Sequence, residues 1–274
     1  MRLNFMYKTY FALFSCLLAS TALANVAPIN FVSANGSIAT VSPISFSLTQ
    51  AMIDNTPLNV SYLPPKRLPV NRVPSWLRKN ASNKFASFDA FVGLSAVKPE
   101  LDFFPSLRLS NIRIVDIDIA HAIMPNGEKV VLASDNEFFW LNSNNLLVMA
   151  GILKRDLGTL WPAHIEQINQ NYQRISAEIR QINLQLDDVL MTKEVASIVP
   201  KSTKIAPFIA SLSSDISTEE DAVAIGLRYL IIDSGKKNSI GVWKIDDFSR
   251  FSTGSLINRL EKQLSSLNEA LKSG

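Results

Sequence analysis

Residues 162–190 read PAHIEQINQNYQRISAEIRQINLQLDDVL. Within them Ile165, Ile168, Tyr172, Ile175, Ile179, Ile182, Leu186 and Val189 recur at steps of three and four. That spacing lays one apolar stripe along a helix of 29 residues, about 43 Å long at 1.5 Å per residue. Most globular helices are shorter. Two readings follow: a coiled-coil arm, or a backbone helix running under two lobes. Four heptads permit a coiled coil, but the e and g positions carry no clear charge code.

Strand-like and helix-like runs alternate on the N-terminal side. Asn30–Ser33 begins a strand-like run, and Pro43–Ile53 reads as a helix opened by proline. Leu58–Leu63, Phe88–Leu94 and Ile112–Ile117 read as strands. On the C-terminal side, Tyr229–Asp233 and Ile240–Ile245 are strand candidates joined through Gly235-Lys236-Lys237-Asn238. Gly254–Leu271 closes the chain as an amphipathic helix, with Leu256, Leu260, Leu264, Leu267 and Leu271 on one side. Strands separated by helical patterns predict a mostly parallel α/β sheet.

The extreme N-terminus carries an export pattern. Arg2 and Lys8 precede the apolar run Phe11–Leu18, and Ala22-Leu23-Ala24 is a small-x-small cleavage site. A lipid anchor at Cys16 competes, but Phe14 weakens the lipobox and no polar tether follows. Cleavage after Ala24 leaves 250 residues at a formal +1, without the only cysteine. The expected compartment is the periplasm, and no stretch of the mature chain is long and apolar enough to span a bilayer. So weak a charge gives no case for nucleic acid.

Composition narrows the chemistry. Two histidines and one cysteine among 274 residues exclude a disulfide scaffold and a Cys-rich zinc module. There is no phosphate-cradling Gly-Lys loop, dinucleotide glycine fingerprint or HExxH. His121 and His164 read as ordinary surface or edge residues. Ser95-Ala96-Val97-Lys98, Ser134-Asp135-Asn136 and Lys272-Ser273-Gly274 follow the order of the penicillin-binding and β-lactamase motifs. Pro99 directly after Lys98 is awkward on a catalytic helix, and the Lys-Ser-Gly match is not followed by the strands such a site needs. No enzyme is expected.

Several stretches resemble the solute-binding proteins of zinc and manganese ABC transporters. They are Ser42-Pro43-Ile44-Ser45-Phe46, Tyr62-Leu63-Pro64-Pro65, Phe88-Asp89-Ala90-Phe91-Val92-Gly93-Leu94 and Trp243-Lys244-Ile245-Asp246-Asp247-Phe248. The best match is Asn136-Glu137-Phe138-Phe139-Trp140-Leu141-Asn142-Ser143-Asn144-Asn145. It is similar to the family's Asp-Pro-His-x-Trp-Leu-Asp-Pro-x-Asn segment. The resemblance implies an α/β fold of two lobes with mostly parallel sheets, joined by one long linking helix, with metal held in the cleft. The implied layout is a signal peptide (1–24), an N-terminal lobe (25–158), the linking helix (159–190) and a C-terminal lobe (191–274). With about 84 residues after Leu190, that last lobe reads as shortened, some strands or helices missing.

The departures bear on function. Lys66, Arg67 and Arg72 stand near the place of the family's first histidine, Phe138 stands at the second, and no histidine follows His164. Only Asp246 matches a family metal ligand. Glu137, Phe138, Asp247 and Arg67 are candidates to line the cleft. Zinc or manganese is implied by the resemblance and disfavoured by the missing ligands, so no cofactor is expected. The expectation is a solute-binding-like protein with a degenerate metal site, partnered by an ABC permease or another envelope protein. The alternative is an interaction protein with a filled cleft and no small ligand.

Overall fold

Ser42 shows how a short sequence signal turns a strand into a helix. Its side chain accepts a hydrogen bond from Ser45 N, and Pro43 fills the first helical position, where no N–H is needed. The protein is described from a computed structural model, which covers residues 35–121, 127–132, 137–234 and 241–272.

The N-terminal lobe runs β1 (Ser37–Thr40), α1 (Pro43–Met52), β2 (Asn59–Tyr62), α2 (Val73–Asn80), β3 (Ala90–Gly93), α3 (Phe104–Arg108) and β4 (Val115–Asp118). Its four strands pair in parallel in the order β2-β1-β3-β4. α4 (Ser143–Leu160) and α5 (Ile165–Thr192) follow, separated by a 3-10 turn at Pro162–His164. The C-terminal lobe runs β5 (Ser197–Pro200), α6 (Ala206–Ile209), β6 (Asp215–Ile216), α7 (Glu219–Ile225), β7 (Tyr229–Ser234), β8 (Val242–Ile245) and α8 (Leu256–Lys272). Its strands are also all parallel, in the order β6-β5-β7-β8.

The expected α/β architecture of two lobes and one long helix is therefore the observed one. α5 packs against α1 and α4 on one side and against α8 on the other. Ile168, Ile175, Ile179, Ile182 and Leu186 are buried along it. The stripe is covered by the chain's own lobes, so of the two readings the backbone helix is right. Ile165, the first residue of the helix, is an exception at 47% exposure, although one side of it lies against Gly158 of α4.

Two expectations need correction. β4 starts at Val115 rather than Ile112, because Asn111 ties the chain back in a turn. Its Nδ2 donates to Phe88 O, and its Oδ1 accepts from Arg113 N. Ile112 is left 75% exposed. The C-terminal lobe keeps four strands, so it is short in the length of its elements rather than their number. β6 has two residues and α6 four. On α8 the expected leucine side does face the core, with Leu256 and Leu267 buried and Leu260, Leu264 and Leu271 packed partly buried, and Arg259, Gln263 and Ala270 are buried beside it. The expected signal peptide, Cys16, the Asn30–Ser33 run, the Ser134-Asp135-Asn136 match, the Ser273-Gly274 end and the Gly235–Asn238 link lie outside the described residues.

Two polar or close contacts hold the helices to the N-terminal lobe. Asn171 of α5 is buried and donates to Met52 O and Asp54 O, the carbonyls that end α1. Gly36 lets the Trp161 indole lie on the backbone before β1, since a Cβ there would stand 2.3 Å from it. Asn171→Ala leaves the two carbonyls without that partner. It is expected to lower the unfolding free energy by about 1–3 kcal/mol. Arg174→Ala removes an exposed pair with Asp54 and a long hydrogen bond to Asn171 Oδ1 and should cost less than about 1 kcal/mol. Urea unfolding of both variants checks the contrast.

Candidate functional site

In open parallel α/β sheets, ligands collect beyond the carboxyl ends of the strands. Here β1 leads to Ser42 and α1, and β8 leads to Asp246, Asp247 and Phe248. These two chain ends meet.

Asp246 is already engaged through both carboxylate oxygens. Arg259 of α8 donates Nε to Oδ2 and Nη2 to Oδ1, each at 2.7 Å. Phe248 N also donates to Oδ1 at 2.9 Å. The Arg259 side chain is only 3% exposed, against 33% for Asp246. Its remaining donors reach Ser47 Oγ on α1 at 3.2 Å and Arg250 O at 3.3 Å. The guanidinium carbon sits 3.9 Å from the centre of the Phe248 ring. A bidentate fork of this kind is the strongest ordinary arrangement of these two charges. Phe248 has φ 55°, a left-handed conformation rare for an aromatic residue, and it is buried.

Aromatic rings fill the adjoining space. Phe138 and Trp140 are buried, with ring centres 5.5 Å apart. Trp140 is placed by the short turn after Phe138 and by Asn145. The Asn145 amide donates to Phe139 O and Val131 O and accepts from Val131 N. Trp140 Nε1 then donates across to Asp247 O at 3.1 Å. Between Trp140, Ile179, Phe208 and Phe248 only about 30 Å³ is left, room for about one water. On the other side, Phe46, Tyr62 and Phe251 form a cluster, with Tyr62 and Phe251 stacked 4.7 Å apart and Phe46 tilted against Phe251. Tyr62 has a buried hydroxyl without a hydrogen-bond partner among the described residues, and burial pushes this phenol upward. Val70 N donates to Ser249 O at 2.8 Å, a direct backbone bond between the lobes.

The sequence-proposed residues thus have distinct places. Asp246, Asp247 and Phe138 lie around the Trp140–Phe248 cluster. Glu137 sits at the rim and pairs with Lys204 at 2.8 Å. Arg67 is exposed in the loop after Pro65, and its neighbour Lys66 lies over the Phe251 ring at 5.5 Å. Arg259 and Ser47 escaped the sequence reading. The signal was present: Arg259 shares a helical face with Leu256 and Leu267, and a charge on a buried face requires a partner.

The donor set does not fit zinc or manganese. Both carboxylate oxygens of Asp246 already accept from a guanidinium, and no three His, Cys, Asp or Glu side chains come together among the described residues. A cation approaching Asp246 would meet the Arg259 charge. The penicillin-binding reading fares no better. Ser95 lies in a turn and donates to Asp118 at 2.7 Å, and Lys98 pairs with Glu100. A larger open groove of about 740 Å³ runs along β8 and α8, lined among others by Lys244, Asp247, Arg250 and Lys262.

Comparison with known proteins agrees with the fold. The chain matches the periplasmic zinc binding protein TroA from Treponema pallidum at TM-score 0.59 and 11% identity, over 86% of this chain and 99% of that one. It has the fold of the zinc and manganese solute-binding proteins. The crystal structure of ZnuA gives TM-score 0.57 and 16% identity, covering 87% of this chain and 98% of the other. A manganese-bound mutant of the periplasmic metal binding protein from Candidatus Liberibacter asiaticus gives 0.61 and 12%, over 86% and 99%. No protein-family pattern matches the sequence, and no curated protein matches it. Within this solute-binding fold, near-complete coverage of those chains accords with a C-terminal lobe that has all four strands.

Asp246→Ala strands a buried guanidinium. Given the partial exposure of Asp246, the expected loss is about 2–3 kcal/mol, read by chemical unfolding at neutral pH. A second titrating group stands apart from the cleft on the edge strand β4. Burial, then the charges of Asp102 and Asp118, push Asp116 from 3.8 up to about 6. A raised carboxyl stabilises the fold at low pH, and that contribution is lost as pH rises from about 4 to 6. Asp116→Asn should therefore gain on the parent between pH 4 and pH 7, by less than about 1 kcal/mol because the site is exposed. Thermal melts at both pH values test this.

Proposed function

We propose that this chain is an exported, solute-binding-like protein of the zinc/manganese transporter type whose cleft no longer takes the metal. The observation that carries the reading is the bidentate pair between Asp246 and Arg259, in which the carboxylate that resembles a family ligand is neutralised by the protein's own guanidinium. The neighbours in fold include proteins described as zinc- or manganese-bound, and their role as transporter-associated binding components supports a related one here. The N-terminal 24 residues act as a cleavable signal, the mature chain works in the periplasm, and its partner is an ABC permease or another envelope protein. No helix of the described residues is long and apolar enough to cross a membrane. It is not an enzyme.

A second reading has its own support. The cleft is filled by Phe138, Trp140 and Phe248, while Ile216, Val223 and Ile225 stand exposed on β6 and α7 at 54–71%. A filled cleft with apolar surface elsewhere suits an accessory protein that docks a partner without a small ligand. Adjacent permease and ATPase genes would favour the first reading, and their absence the second.

Calorimetry of the mature protein with Zn²⁺ and with Mn²⁺, beside elemental analysis of the purified chain, tests the shared claim. Neither metal should show stoichiometric submicromolar binding. Such binding would overturn the reading. A fluorescent penicillin should leave the protein unlabelled.

A further inference from the structure

Among the described residues, hydrogen bonds join the two lobes directly at the cleft. The N-terminal lobe offers Ser47 Oγ, the Val70 N–H and the Trp140 indole N–H. The C-terminal lobe answers with Arg259, Ser249 O and Asp247 O. Arg259 is the member that touches most of the others' supports. It holds Asp246, reaches Ser47 across the divide, accepts the Phe248 ring beneath it and ties down Arg250 O. The loop it braces contains a strained aromatic at φ 55°. Such a conformation persists only where the surroundings over-determine it.

We infer that the cleft has an intramolecular ligand: the guanidinium of Arg259 is its resident cation and keeps the lobes closed without any bound solute. This rests on the degenerate-cleft reading and goes beyond it. A solute closes a two-lobed protein only as far as it favours the closed form over the open one. A tethered guanidinium is present at every moment and at high effective concentration. The closed form is then permanent, and a partner that recognises it does so regardless of cargo. The site is specific for a planar, forked cation. An ammonium has no geometry to hold both Asp246 oxygens and Ser47 together.

Hydrogen exchange on the mature chain tests this, read at the Val70 amide, which donates to Ser249 O across the lobes. Sheet amides such as Val92 in β3 serve as the control for global stability. In the parent, protection of Val70 should be the same with and without millimolar Zn²⁺ or Mn²⁺. Arg259→Ala should raise the exchange rate at Val70 at least tenfold more than it raises that of the β3 amides. Ethylguanidinium at low millimolar concentration should restore most of that protection, and ethylammonium at equal ionic strength should not. Unchanged protection in Arg259→Ala, equal rescue by both amines, or a tenfold rise in parent protection on adding metal would each overturn the inference. If Arg259→Ala does not fold, Arg259→Lys is read in the same way, and full protection there overturns it. Tight metal binding by calorimetry with exchange unchanged by metal would sink the proposed function and leave the resident cation standing.

Discussion

A helix of 28 residues with one buried stripe needs more cover than either small sheet can supply. α5 finds it by taking α1 and α4 on one side and α8 on the other. The two lobes thereby share a continuous core along a rod of about 42 Å. Each four-stranded parallel sheet is too small to stand well alone, and each gains from the common helix. The carboxyl ends of β1 and β8 are brought together by the same packing, because α1 follows β1 almost at once, α8 follows β8 after the loop 246–255, and both helices lie on α5.

Where the ends meet, desolvation sets the terms. An arginine with 3% of its side chain exposed must find its counter-charge and acceptors inside the protein. Asp246, Ser47 and the Arg250 carbonyl supply them. Aromatic rings then close the remaining space, and the Trp140 indole avoids the cost of a buried unpaired donor by bonding Asp247 O. The result is a site in which Arg259, Asp246 and the Trp140 indole find their partners within the chain, while the Tyr62 hydroxyl has none among the described residues. A metal site is built the other way, from lone pairs left without partners until the ion arrives.

Much of this fold was legible because its signals are local. The three-four spacing of Ile168 to Leu186 marks a helix, Ser42-Pro43 marks its neighbour's start, and Asn142 caps α4. The order of the Trp140 and Asp246 segments pointed to the two-lobed scaffold. What escaped was long-range. Arg259 and Ser47 are 212 positions apart, and Asn171 and Met52 are 119. Residue type and periodicity mark such positions only as polar interruptions in an apolar face. Ile112 misled for the opposite reason: a β-branched residue in an apolar run signals a strand, yet the Asn111 turn leaves it in water.

The arginine also bears on what substitution can build here. Adding histidines to the cleft would not by itself create a cation site, since a positive charge already holds the carboxylate. Removing Arg259 alone would leave Asp246 unpaired and the left-handed Phe248 loop without its support. A cation site in this scaffold therefore takes several changes at once.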